Sequence, residues 1–200
     1  MDRNNVASNL ATLCFESKQD SVSDEAALVH AAQEDPTAFD VLYHRYRQRI
    51  YAYLRARTSD AEDAADLTQH VFLQALDALP RYRVRRVPFA AWLFRIARNA
   101  ATDFHRRRRT TVTWDLLPEA LQPLTDDDAE AGVLRQEDMA RLRALLRTLD
   151  QETRDVLMLR FTGHLTIAEI AAVIGKSEAA TQKKLFRTIQ TLQERYHERI

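Results

Sequence analysis

Residues 166–192 read "TIAEIAAVIGKSEAATQKKLFRTIQTL", and two short helices with a tight turn are written into them. Thr166 and Glu169 stand three apart, the spacing at which a hydroxyl and a carboxylate cap each other's backbone N–H groups. Ile167, Ile170, Ala171 and Ile174 then recur at helical spacing, and Gly175 supplies the turn. Ser177 caps a second helix that gathers Leu185, Ile189 and Leu192 on one side. Ala171 is small enough to let the two helices approach closely. Ser177, Glu178, Thr181, Gln182, Lys183, Lys184 and Arg187 are available on the outer side. Lysine and arginine suit phosphates, while threonine, glutamine and glutamate suit base edges in a major groove. The pattern is that of a DNA-binding helix-turn-helix. A helix, a glycine turn and a helix also occur in bundles that bind no nucleic acid, so the motif by itself leaves both readings open.

Two further helices precede it. Met139, Leu142, Leu145, Leu146 and Leu149 mark the first. The second follows Asp150, carries Val156, Leu157, Leu159 and Phe161, and ends at Gly163. Upstream, residues 110–134 lose all periodicity and hold Pro118, Pro123, Gly132 and the run Asp126-Asp127-Asp128. They read as an acidic linker, too long for a loop inside one compact domain.

Before the linker stands "PFAAWLFRIARNAATDFHRRRR", residues 88–109. Pro88 opens a helix with Phe89, Trp92, Leu93, Ile96, Ala97, Ala100 and Phe104 on one face. Arg95, Arg98, Asn99, Asp103 and Arg106 fall largely away from that face. Trp92, on the apolar stripe, reads as core packing ahead of base stacking. Part of the arginine run offsets the carbonyl end of the helix, and the rest suits phosphates. A basic loop, "PRYRVRRVP", leads in.

Still further upstream is "SDAEDAADLTQHVF", residues 59–72. Ser59 and Glu62 have capping-box spacing, Leu67, Val71, Phe72, Ala75, Leu76 and Leu79 form the stripe, and Pro80 stops the helix. The acids of its first turn complement the helix dipole or form a docking surface for a basic partner. A metal site is a poor reading, because one helix cannot wrap its carboxylates round an ion and no EF-hand spacing is present. Asp35-Pro36 starts an earlier helix with Phe39, Leu42, Tyr43, Tyr46, Ile50, Tyr53 and Leu54 as its stripe, and "DEAALVHAAQE" is a short helix before that. Residues 1–23 are polar and aperiodic, and read as a disordered leader.

Composition agrees. The 200 residues include three glycines and five prolines, which favours an all-α protein. The net charge of zero hides segregation. Residues 80–109 carry ten arginines and one acid, and residues 110–138 carry eight acids and one base. The N-terminus has no basic-then-apolar export signal and no stretch is apolar enough to span a membrane, so a cytoplasmic protein is expected. Cys14 alone makes no internal disulfide. Histidines lack zinc-site spacing, and no phosphate loop or nucleophile–base arrangement appears. Neither an enzyme, a metal nor a cofactor is expected.

Taken in order, these motifs resemble the extracytoplasmic-function (ECF) class of the bacterial sigma-70 family, over about residues 24–109 and 135–196. "ADLTQHVFLQAL" looks like that family's polymerase-docking helix, "PFAAWLFRIARNAATDFHRRRR" like its promoter-melting and minus-ten-reading helix, and "LDQETRDVLMLRFTGHLTIAEIAAVIGKS" with "TQKKLFRTIQTL" like its minus-thirty-five domain. The resemblance implies two small helical domains: region 2 over 24–109 and region 4, with the helix-turn-helix, over 135–200. The linker lies between them.

It implies that Asp60, Glu62, Asp63, Asp66, Gln69 and Phe72 dock on the clamp coiled coil of the polymerase's largest subunit. Tyr82, Arg83, Arg85, Arg86, Arg95, Arg98, Asn99, Asp103, Arg106 and Arg107 would hold minus-ten DNA, with Phe89 and Trp92 nearby. Ser177, Glu178, Thr181, Gln182, Lys183, Lys184 and Arg187 would meet the minus-thirty-five element. The implied partners are core RNA polymerase, promoter DNA as duplex and melted strand, and an anti-sigma protein, with no membrane insertion. Three positions depart from the family's pattern. Ala65 and His70 stand where glutamates are common, and Gln182 stands where an apolar valine is usual. A stand-alone helix-turn-helix regulator, or a polymerase-bound adaptor without productive promoter reading, therefore stays open as an alternative.

Overall fold

The computed structural model describes residues 22–58, 60–83, 87–108 and 140–197. The linker, most of the leader, Ser59, Arg85, Arg86 and Arg109 lie outside them. Among the described residues there are α-helices and 3-10 turns and no strand. In chain order the helices are α1 (Val22–Glu34), α2 (Phe39–Arg55), α3 (Ala61–Ala78), α4 (Phe89–Arg108), α5 (140–147), α6 (Gln151–Phe161), α7 (Ile167–Ile174) and α8 (Glu178–His197).

The N-terminal half is α1 to α4. α2 buries Phe39, Leu42, Tyr46, Ile50, Tyr53 and Leu54, the stripe read from the sequence except for the half-buried Tyr43. α3 packs on α2 and α4 packs on α3. Asp35 caps a 3-10 turn, Pro36–Ala38, that leads into α2. α1 begins at Val22, two residues ahead of the expected "DEAALVHAAQE" segment. It is tied down by Gln33, whose Nε2 donates to the carbonyls of Leu79 and Tyr82 at 2.9 Å each. The Tyr46 hydroxyl donates to the Glu25 carboxylate.

Two caps in the C-terminal half match their sequence signals. The Asp150 carboxylate accepts from the Thr153 N–H and opens α6. Thr166 and Glu169 form a complete capping box at α7, and Gly175 ends α7 at φ +71°, a conformation in which glycine has no steric penalty. The capping box read at Ser59 lies outside the described residues. Asp60 is the N-cap of α3, its carboxylate accepting from the Glu62 N–H. A serine and an aspartate stood side by side, and either can cap.

The sequence reading separated two domains, and the structure folds one onto the other. α7 carries a single charged residue, Glu169, and is apolar round most of its circumference. Such a helix needs cover on more than one face. α8 and α6 supply one cover and α4 supplies another. Gly163, just beyond α6, sits so close to the Phe94 ring that a Cβ there would lie 2.8 Å from it. Arg49 of α2 crosses as well, its Nε donating to the Gly163 carbonyl at 2.9 Å and its Nη2 to the His164 carbonyl at 3.1 Å.

Candidate nucleic-acid interface

α3 shows how the candidate docking residues divide. Ala64, Thr68, Val71, Phe72 and Ala75 face inward. Asp60, Glu62, Asp66 and Gln69 face solvent, and Asp63 is half-buried. Phe72 is only 4% exposed and packs edge-on against Tyr43, ring centroids 4.8 Å apart, and against Phe39. It is a core residue, not a contact surface. Leu73, one position on, is 62% exposed and continues the line from Asp66 and Gln69. The sequence reading missed it, although an apolar residue out of phase with the stripe was the available signal. His70 lies on the same exposed side.

α4 holds the basic surface. Arg95, Asn99 and Arg107 are exposed, and Arg98 is half-buried. Asp103 pairs with Arg106 at 3.2 Å on the surface. Arg83 is exposed at the start of the basic loop. Tyr82 is turned the other way. It is buried, its ring lies against Trp92 and Phe89 at 4.8 and 5.8 Å, and its hydroxyl donates to the Val87 carbonyl. Burial, with the Glu25 charge second, pushes the Tyr82 phenol up to about 12. Tyr82 thus packs on α4 and is not a surface residue. Trp92 is half-buried between Tyr82 and Phe89, the packing role its stripe position implied.

α8 corrects the helix-turn-helix in one phase. Thr181 is 1% exposed and its hydroxyl donates to the Ser177 carbonyl, so it presents nothing to a groove. Gln182 points outward. The turn of the helix places Thr181, not Gln182, among the apolar neighbours. Ser177 caps α8 through its hydroxyl, which accepts from the Ala180 N–H at 3.3 Å. Lys184 is held at home, with Nζ 2.8 Å from Glu152 and 3.8 Å from Asp150. That hydrogen bond holds the Glu152 carboxyl below its ordinary range. Lys184 therefore braces α8 against the start of α6. The outward face retains Glu178, Gln182, Lys183 and Arg187, and adds Phe186, which is 66% exposed.

No group of three or more potential metal ligands and no membrane-length apolar helix occurs among the described residues.

Family models for sigma-70 region 2 and sigma-70 region 4 match residues 42–111 and 139–192. The ECF RNA polymerase sigma factor SigD of Mycobacterium tuberculosis is 31% identical over 85% of this chain and 82% of its own length. The ECF RNA polymerase sigma factor BldN of Streptomyces coelicolor is 33% identical over 82% of this chain, which spans 63% of BldN. Among solved structures, CnrH in complex with the cytosolic domain of CnrY aligns over 85% of this chain and 95% of CnrH, with TM-score 0.56 and 26% identity. With both sigma regions matched in order on an all-helical fold, the chain belongs to the sigma-70 family, as an ECF sigma factor.

Proposed function

We propose that this chain binds core RNA polymerase and directs it to two-part promoters, helping to open the DNA at the minus-ten element. The observation that carries this reading is the pairing, in one chain, of the acid-topped face of α3 with the basic faces of α4 and α8. A stand-alone regulator has no need of the first, and an adaptor that reads no promoter has no need of the other two.

In this reading Asp60, Glu62, Asp63, Asp66, Gln69 and Leu73 dock on the polymerase, with Phe72 supporting them from below. Arg83, Arg85, Arg86, Arg95, Arg98 and Asn99 hold the melted minus-ten strand, and Arg106 and Arg107 line its phosphates, with Asp103 orienting Arg106. Gln182, Lys183, Phe186 and Arg187 enter the major groove at minus thirty-five. Residues 24–109 and 135–200 act as regions 2 and 4. The chain does no covalent chemistry. It favours the open promoter by binding the unpaired strand better than the duplex, which is all a shift of equilibrium requires. It works in the cytoplasm, under an anti-sigma protein.

Run-off transcription from a randomised promoter library tests this, using core polymerase of the source organism with and without the chain. Promoter-selective transcripts that need both components are expected. Tight duplex binding by the chain alone, without transcripts, would favour the regulator, and polymerase binding without transcripts would favour the adaptor.

A further inference from the structure

α1 precedes the region 2 match, which begins at residue 42, yet its last turn reaches the base of the basic loop. Gln33, the last residue but one of α1, is half-buried. Its Nε2 donates to the Leu79 and Tyr82 carbonyls at 2.9 Å each, across 46 and 49 residues of sequence. A carbonyl only accepts, so the amide nitrogen, with its two hydrogens, is the end of the side chain that must face them. Leu79 opens the 3-10 turn Leu79–Arg81 that follows α3, and its carbonyl also accepts from the Tyr82 N–H at 3.0 Å. Carbonyls at the end of a helix have no helical partner of their own, and Gln33 supplies donors there. Val29 and Ala32, both buried, and the Glu25 carboxylate, which accepts from the Tyr46 hydroxyl, hold α1 in place for this contact.

The residue after Tyr82 is Arg83, which is exposed. A peptide unit is planar, so the Tyr82 carbonyl and the Cα atom of Arg83 lie in one plane. Fixing that oxygen fixes the direction in which Arg83 leaves the core. The other end of Tyr82 is fixed as well, its ring 4.8 Å from that of Trp92 and its hydroxyl donating to the Val87 carbonyl. An arginine on a loose backbone loses more freedom on binding a strand than one whose backbone is already set. A tie needed only for stability could take either carbonyl. Gln33 takes both, and the second belongs to the peptide that carries a candidate DNA contact.

We propose that Gln33 is a positioning residue for the minus-ten strand: through the Leu79 and Tyr82 carbonyls it sets the peptide plane from which Arg83 reaches DNA, and it makes α1 part of the promoter-reading half. The hydrogen bonds rest on the geometry, and their meaning for DNA rests on the proposed sigma function.

Holoenzyme binding to a fork-junction DNA, its minus-ten strand unpaired and taken from the promoter library, tests this coupling. In the parent, Arg83→Ala should weaken binding about tenfold, the low end for a charged hydrogen bond. Gln33→Met keeps the length of the side chain and removes its donors, and in that background Arg83→Ala should weaken binding at most about twofold. Arg107→Ala should cost the same factor in both backgrounds, which a general loosening of the fold would not allow. Gln33→Lys restores a donor and should restore the full effect of Arg83→Ala. Should Gln33→Met fail to fold, Gln33→Asn, one carbon shorter, takes its place. A nitroxide on Arg83→Cys, with Cys14 replaced by serine, reads the same contact in the full chain without DNA. Its spectrum should sharpen in Gln33→Met and return to the parent's in Gln33→Lys. Equal effects of Arg83→Ala in both backgrounds, no effect of it in a parent that binds the promoter, or a nitroxide equally restrained in parent and Gln33→Met would overturn the positioning role. A nitroxide freed by Gln33→Met in a chain whose holoenzyme binds no promoter would sink the sigma reading and leave Gln33 as the anchor of Arg83.

Discussion

Phe186 presents most of its ring to solvent beside Gln182 and Lys183, on the face of α8 that a major groove would meet. An exposed aromatic costs solubility, and the base feature it matches is the thymine methyl. Losing one methyl contact is worth about 0.8 kcal/mol, or about fourfold in affinity. Replacing minus-thirty-five thymines by uracil should therefore weaken holoenzyme binding about fourfold at one position. Phe186→Ala should bind both duplexes equally, at the weaker level. Sensitivity to uracil that persists in Phe186→Ala would move the methyl contact to another residue. His164, at the seam between the halves, has the positive φ of 50° that asparagine also tolerates. Burial first, then the charges of Arg49 and Arg160, lower its pKa from 6.5. The unfolded chain therefore binds this proton before the folded chain does. Its contribution to stability is complete above about pH 6.5 and declines as the pH falls toward the lowered folded value. Thermal melts at pH 7.5 and 6.0 should show a larger loss for the parent than for His164→Asn, and equal losses would remove His164 as the cause.

At the scale of elements, the adjacent residues Phe72 and Leu73 of α3 face opposite ways. Phe72→Ala should cost about 3–5 kcal/mol of stability, as large-to-small changes in cores do. Leu73→Ala should leave the melting temperature within a degree or two and weaken polymerase binding. Chemical denaturation and a polymerase-binding titration separate the two, and a Leu73→Ala chain with full polymerase affinity would take that residue off the docking surface. The helices themselves were legible because their stripes repeat every three to four residues, and the box at Thr166 and Glu169 was legible because its spacing stands directly ahead of an apolar stripe. Phase at the margins was not. One residue turns a helix by about 100°, so of the neighbours Thr181 and Gln182, both read as outward, only Gln182 faces out and Thr181 is buried. Phe72 shows that a motif resemblance does not tell whether a residue lies on the surface or in the core. Tyr82 repeats the lesson, since its place in a basic loop hid its burial under Trp92.

At the scale of the molecule, charge segregation marked the basic block that α4 carries on its surface, but closure was not legible in it. Periodicity gives each helix a buried face without naming what covers it. The signal was α7, apolar on more sides than its partner in the helix-turn-helix can cover, and Asp155, an acid in the apolar run of α6. Neither reveals Arg57 and Arg98 as the partners of Asp155 until the chain is folded. The basic end of α4 makes a separate prediction. Arg106 and Arg107 are exposed, and each phosphate neutralised adds roughly 0.7–0.9 to the slope of log affinity against log salt. Changing both to glutamine should flatten that slope by about 1.5 and weaken holoenzyme binding on all promoters alike. An unchanged slope would place their charge at the carbonyl end of the helix alone.

Promoter opening is the most direct measure of the whole. Permanganate reactivity of unpaired thymines at the minus-ten element should appear only when this chain and core polymerase are both present, and only on templates carrying both promoter elements. Reactivity with the polymerase alone, or protection of intact duplex by the chain alone with no opening when polymerase is added, would contradict its assignment as the factor that turns recognition into melting.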